Sequence, residues 1–431
     1  MDQQVARDTA WNVAGALLPI AAGLWAFPKL LNAVEPEAFG WLSIAWIVLG
    51  AGGLFDLGLG RALTREVSTQ GSRLDARVRA GLQLSLVSGI VFALAGAVLA
   101  PGLAAWVGVG ALEPGEVTQS LRILSVALLA IVLSSAFRGI LEGDRFFMLA
   151  NAVRGPSIAA SFLLPLVVEP ELPNLVAAAV AGRWLGTVAY AWIIRRWWKT
   201  RSAAWRLESR TGVLCQGGGP STEFWGPMIR FGGAVTLTSA FAFVLSQADR
   251  VLVARVLGTA VLGTWSPVFE VISRVMIFPV AFASALFPRM VRWSDTPGAS
   301  GTALGRAGLS VAFALLLPCL GMFAAVPTAL DLWLGVEVPL GVTQGARWLV
   351  VGVYFNAVAQ VPFAFLQASG RPGIPAMLNG LELPVYLLLL TAFLEMFGIA
   401  GAGMAWAIRA SADAVFMYVA AVALARSRRV G

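Results

Sequence analysis

The 431-residue chain is 58% hydrophobic and only 13% charged, carries a net charge of +8 and contains no histidine. Soluble domains are about half apolar and about a quarter charged, so lipid is the solvent for most of this chain, as its mean hydropathy of +0.79 requires. Histidine-based metal sites and general bases are excluded, and the two isolated cysteines, Cys215 and Cys319, suit neither a disulfide framework nor a CxxC site.

Taken in chain order, apolar runs long enough to span a hydrocarbon core of about 30 Å fall at 9–33, 38–60, 81–106, 118–141, 146–168 and 173–197. A second set falls at 225–249, 258–287, 304–326, 341–368, 374–397 and 400–424. Their lengths suit helices and not barrel strands. The first run reads as a retained helix, since Arg7 and the apolar stretch after it carry no clear signal-peptidase site. The expected fold is an all-α polytopic membrane protein of about 12 transmembrane helices.

The arginines orient it. With the N-terminus inside, about 21 Lys and Arg lie on the inner side, among them Arg7, Arg61, Arg65, Arg138, Arg145, Arg195, Arg196, Lys199, Arg289 and Arg426. About five lie outside: Lys29, Arg122, Arg250, Arg255 and Arg347. This bias predicts that both termini are cytoplasmic, and it makes nucleic acid an unneeded explanation of the net charge.

The longest polar segment, 199–224, holds Gly217-Gly218-Gly219-Pro220 and reads as a cytoplasmic linker. It separates a six-helix bundle at 1–198 from another at 225–431. The halves resemble each other. A shift of 223 residues superposes Gly40 on Gly263 and Ala62-Leu63 on Ala285-Leu286; one of 225 superposes Arg122 on Arg347; one of 226 superposes Arg183 on Arg409. A parallel duplication with a pseudo-twofold relation is a transporter architecture, and its substrate path is expected between the bundles.

Charges inside the spans are costly and mark function or pairing. Arg154 and Arg183 have no partner on their own helices and are candidates for an anion-facing wall, with Arg274 and Arg409 as further cavity candidates. Glu270–Arg274 and Arg409–Asp413 share an i,i+4 spacing that suits either structural pairs or a site. Glu270, Glu382 and Asp413 are the candidate ion-coupling carboxylates. Arg230 reads as a snorkelling anchor and Asp249-Arg250 as an interfacial pair. Asp56, ahead of Gly58 and Gly60, reads as a helix break or a close-packing point. Trp11, Trp41, Trp106, Trp197, Trp198, Trp225, Trp293 and Trp333 sit at span ends, as an interfacial belt does. Trp184, beside Arg183, is a candidate sugar contact or a packing residue.

Phe39-Gly40-Trp41 followed by Phe55-Asp56-Leu57-Gly58-Leu59-Gly60-Arg61-Ala62-Leu63-Thr64-Arg65 resembles the Wzx-type polysaccharide repeat-unit flippases. So do Phe137-Arg138-Gly139-Ile140-Leu141-Glu142-Gly143, Gln247-Ala248-Asp249-Arg250 with Leu257-Gly258, and Ala285-Leu286-Phe287-Pro288-Arg289. The resemblance runs from 9 to 424 and extends to a superfamily with multidrug extruders and lipid II flippases. It implies a cofactor-free, non-enzymatic transporter in the bacterial inner membrane. The implied cargo is a lipid-linked anionic oligosaccharide, with polysaccharide polymerase and export machinery as protein partners. An extruder of the same superfamily would need acidic cavity residues for cationic cargo, and a non-transporting scaffold would tolerate loss of the deep arginines.

Overall fold

The computed structural model describes residues 3–69, 74–210, 225–295, 299–335, 337–371 and 373–427, and all regular structure among them is helical. The first half comprises α1 (Gln3–Ala33), α2 (Pro36–Gly50), α3 (Gly52–Phe55), α4 (Leu59–Thr69), α5 (Leu74–Val107), α6 (Pro114–Gly143), α7 (Phe147–Leu163) and α8 (Leu172–Arg210). The second comprises α9 (Trp225–Leu257), α10 (Thr259–Ser273), α11 (Ile277–Asp295), α12 (Ala299–Leu334), α13 (Leu340–Ala368), α14 (Gly373–Phe397) and α15 (Ile399–Ser427).

Each of the twelve apolar runs falls on helix, and among the described residues nine helices are long and apolar enough to cross a membrane. The chain is a multi-pass all-α membrane protein. The second run, 38–60, is three pieces and not one rod, and the eighth, 258–287, is broken by a 3-10 turn at Arg274–Met276. A shift of 223 carries Ala51, where the first break begins, onto Arg274, whereas the Asp56–Gly58 turn of the second run falls onto regular helix of α11. The fifth run ends in a 3-10 turn, Leu164–Val167, where Pro165 cannot continue the α-helical hydrogen-bond ladder. Residues 199–210, assigned to the linker by their polarity, continue α8; Cys215 and Gly217–Pro220 lie outside the described residues.

Two compact units divide the chain, Met1–Phe243 and Val244–Gly431. In the first, α6 packs against α4, α5 and α8, while α1 packs against α7. In the second, α13 packs against α11, α12 and α15. Large apolar side chains point outward, such as Leu94 and Val98 on α5 and Phe313 and Leu317 on α12. Helices in lipid gain little from hiding such groups and associate through small residues that let backbones approach. The seams obey this. A Cβ at Gly139 of α6 would collide with the Gly60 carbonyl of α4, and one at Gly403 of α15 with the Gly345 carbonyl of α13. Across the first seam, Thr64 Oγ1 donates to the carbonyls of Gly60 and Gly139, each at 3.0 Å.

One expectation about span ends is corrected. Trp41 and Trp197 are buried and not in a lipid-facing belt, and the Trp197 indole N–H donates to Asp144 Oδ2 at 2.8 Å. Asp249 and Arg250, expected near the outer end of a span, are buried within the C-terminal unit at 1% and 7% exposure, and α9 runs on past them to Leu257.

Candidate functional site

The break in the second span is built by its own sequence. Gly50, Gly52 and Gly53 weaken the helix, and Leu57 and Gly58 both take positive φ, 49° and 66°. Asp56 stabilises that turn. Its Oδ1 accepts the Gly58 N–H at 2.9 Å, and its Oδ2 accepts the Ser135 hydroxyl of α6 at 2.5 Å. The carboxylate thus sits at the start of α4, where the helix dipole favours negative charge.

The other face of the break carries the opposite charge. Arg183 of α8 donates from Nη2 to the Leu49 carbonyl oxygen in the last turn of α2, at 2.5 Å. A helix leaves its last carbonyls without intrahelical donors, and its C-terminus favours cations. Arg183 supplies both a donor and a positive charge. Arg183 lies 11 residues after the first residue of α8, about 17 Å along the helix and near mid-bilayer.

Three arginines of the N-terminal unit act on one another. Arg183 lies in the field of Arg154 on α7, and Arg154 in that of Arg138 and Glu142 on α6. Arg138 pairs with Glu142, Nε to Oε1 at 3.2 Å. Arg154 is exposed and makes no hydrogen bond or ion pair among the described residues. Tyr190, whose hydroxyl donates to the Ala150 carbonyl at 2.5 Å, lies close to all three arginines. Arg183, Thr187 and Tyr190 share a face of α8 by helical spacing, and Thr187 donates to the Ala130 carbonyl at 3.1 Å. The result is a cationic series from the α6–α7 turn into the membrane. Trp184 is half-buried and makes no cation–π contact with Arg183.

The C-terminal unit arranges its charges differently. Glu270 pairs with Arg274, as its spacing suggests, and also approaches Arg250 of α9 at 3.5 Å. The Arg250 guanidinium lies 4.7 Å from the centre of the Phe269 ring, and Trp265 Nε1 donates to Asp249 Oδ2 at 3.4 Å. Arg409 and Asp413 have the same spacing but form no direct ion pair. Arg409 instead stacks between Tyr386 and Trp406, at 5.2 and 5.5 Å from the ring centres. Asp413 turns toward Glu382 of α14, with the Arg409 charge acting on both carboxyls. The Arg230 side chain lies outside the described residues.

Sequence reasoning named Arg154, Arg183, Glu270, Arg274, Glu382, Arg409 and Asp413 but missed Ser135, Tyr190, Arg250 and Tyr386 as their neighbours. The polar spacing of positions 183, 187 and 190 was the available signal for Tyr190.

Residues 5–294 match the family described as polysaccharide biosynthesis protein. The chain belongs to that family. It is also 25% identical over 423 residues, 96% of each chain, to a Shigella flexneri protein assigned as an O-antigen transporter. The fold is that of the MOP-superfamily transporters. An inward-closed structure of the lipid II flippase MurJ superposes with a TM-score of 0.72 at 13% identity, over 98% of this chain and 90% of that one. An inward-facing multidrug-resistance MATE transporter gives a TM-score of 0.70 at 16% identity, over 96% of both chains.

Proposed function

We propose that this member of the polysaccharide biosynthesis family is a flippase. It moves polyprenyl-diphosphate-linked oligosaccharide repeat units across the bacterial inner membrane by alternating access, for surface polysaccharide biosynthesis. The observation that carries the reading is the cationic series Arg138–Arg154–Arg183 within membrane-spanning helices. A lipid-linked diphosphate is a compact anion that guanidinium groups match by charge and geometry. Arg154 is the exposed member, and it makes no direct ion pair among the described residues, with Glu142 acting on it only at a distance, so it is the one poised to meet that head group.

Arg274 and Arg409 are poorer candidates for the cargo, because Glu270 and two aromatic rings already hold them. Glu382 and Asp413 remain the carboxyls suited to ion coupling, whereas Glu270 is held between two arginines. Outward movement of one negative charge is itself worth about 2.3 kcal/mol per 100 mV, so coupling is an addition and not a requirement. No catalytic step is needed. In this reading both termini are cytoplasmic, by the arginine bias, and the protein delivers cargo to a polysaccharide polymerase.

The test is deletion of the gene in its host, with surface polymer and lipid-linked intermediates analysed together. Wild type should restore polymer. Arg154→Ala, expressed at the normal level, should fail to do so and should accumulate lipid-linked repeat units on the cytoplasmic side. Unchanged polymer with raised sensitivity to cationic drugs would replace the flippase by an extruder.

A further inference from the structure

Within the arginine series stands a carboxylate, at a place where a helix least favours one. Glu142 is the penultimate residue of α6, and the last turn of a helix favours cations over anions. Its side chain forms one direct ion pair among the described residues, with Arg138 one turn earlier at 3.2 Å. The order is also the weaker one, since an acid stabilises a helix best when it precedes its base by four residues. Both side chains stay open to solvent, Arg138 at 37% and Glu142 at 27% exposure, so the pair adds little to stability. Its place in the bundle is nonetheless internal. Ser134, one turn before Arg138, meets Thr187 of α8 hydroxyl to hydroxyl at 2.8 Å. Tyr190, the next turn of α8, donates to the carbonyl of Ala150, one turn before Arg154 on α7. Helical spacing therefore turns Arg138, Glu142, Arg154 and Tyr190 toward one another, and Arg154 lies in the field of both Arg138 and Glu142.

We propose that Glu142 is an internal anion that holds the place of the cargo's phosphate while the site is empty, and that Arg138 keeps it off Arg154. Phosphate and carboxylate oxygens compete for the same guanidinium N–H groups, and the weakness of the Arg138–Glu142 pair lets the phosphate win. Once displaced, the carboxylate repels the bound anion and so favours its later release. The phosphate identity rests on the flippase reading above; the competition of an anion with Glu142 is a property of the site's own charges.

Calorimetric binding of geranyl diphosphate, a soluble short-chain probe, to the purified full-length protein tests it, with melting temperature read on the same samples. Glu142→Gln keeps the shape and removes the charge, and it should bind the probe roughly three- to tenfold more tightly, the scale of one like charge removed near a partly hydrated site. It should melt no lower than wild type, because an anion leaves a helix C-terminus. Arg138→Gln should bind more weakly, since it removes a cation and frees Glu142 for Arg154. Adding Glu142→Gln to Arg138→Gln should recover binding, which a merely structural pair would not do. In the deletion host, Glu142→Gln should restore about half the wild-type polymer or less, because its cargo leaves slowly. Unchanged or weaker binding by Glu142→Gln, or a double variant no better than Arg138→Gln, overturns the role of Glu142 and leaves the flippase reading standing. Full polymer rescue beside tighter binding overturns its part in release, and absence of binding by wild type and every variant overturns the phosphate site itself. Polymer that survives deletion of the gene overturns the flippase reading, and the binding series then still decides whether Glu142 competes with an anion.

Discussion

The Arg183 guanidinium donates to the Leu49 carbonyl oxygen at 2.5 Å across a sequence separation of 134 residues. A side chain with the signature of an anion-binding residue therefore also caps a broken helix. Arg183→Ala should destabilise the protein by about 1.5–3 kcal/mol, the range for hydrogen bonds to charged groups, read as a lowered melting temperature in detergent. Arg183→Lys keeps the charge but loses the planar fork, so it should recover only part of that loss.

Asp56 makes two bonds and Ser135 one, and that asymmetry has a measurable consequence. Ser135→Ala removes one interhelical bond and should cost about 0.6–1.7 kcal/mol. Asp56→Ala also frees the Gly58 N–H and removes the negative charge from the start of α4, a capping loss of about 0.5–2 kcal/mol in addition. Urea-free thermal melts of the two variants should rank Asp56→Ala below Ser135→Ala, and equal melting points would refute the cap.

The glycine seams predict where a methyl group is tolerated. Gly139→Ala and Gly403→Ala push a Cβ into a facing carbonyl, and each should cost about 1–3 kcal/mol. Gly102→Ala on α5 enters open space and should be neutral or slightly stabilising. Yield and melting temperature of the three variants make the comparison.

In the C-terminal unit Glu270 serves two arginines of unequal burial: the Arg250 side chain is 8% exposed and that of Arg274 38%. Glu270→Gln removes one of the two carboxylates beside the buried Arg250, leaving Asp249, and also unpairs Arg274, so it should be destabilising. Arg274→Gln leaves Glu270 still paired with Arg250 and should cost clearly less. A double-mutant cycle over Arg250 and Glu270 should give a larger coupling than one over Arg274 and Glu270.

Two pairs with identical spacing show how far the sequence could be read. Glu270–Arg274 and Arg409–Asp413 are both one helical turn apart, yet only the first closes. The second is drawn apart by Tyr386 and Trp406, which stack on Arg409, and by Glu382, which faces Asp413. Spacing along one helix fixes which residues can meet, and the facing helix decides which do. Asp249-Arg250 shows the same rule: polarity in the sequence marked the pair, and the neighbours Trp265, Phe269 and Glu270 decided that both charges are buried.

The sequence by itself determined the membrane class, the positions of the twelve runs and their helical form. Each of these follows from local sums of hydropathy, and from the demand that backbone in lipid satisfy its own hydrogen bonds. Only the tertiary structure decided that the second and eighth spans are broken, that Arg183 closes the first of those breaks, and that Arg154 makes no direct ion pair among the described residues. Those outcomes depend on contacts between helices far apart in the chain. Hydropathy carries no record of which helix faces which, because lipid and neighbouring helices offer an apolar residue nearly the same solvent.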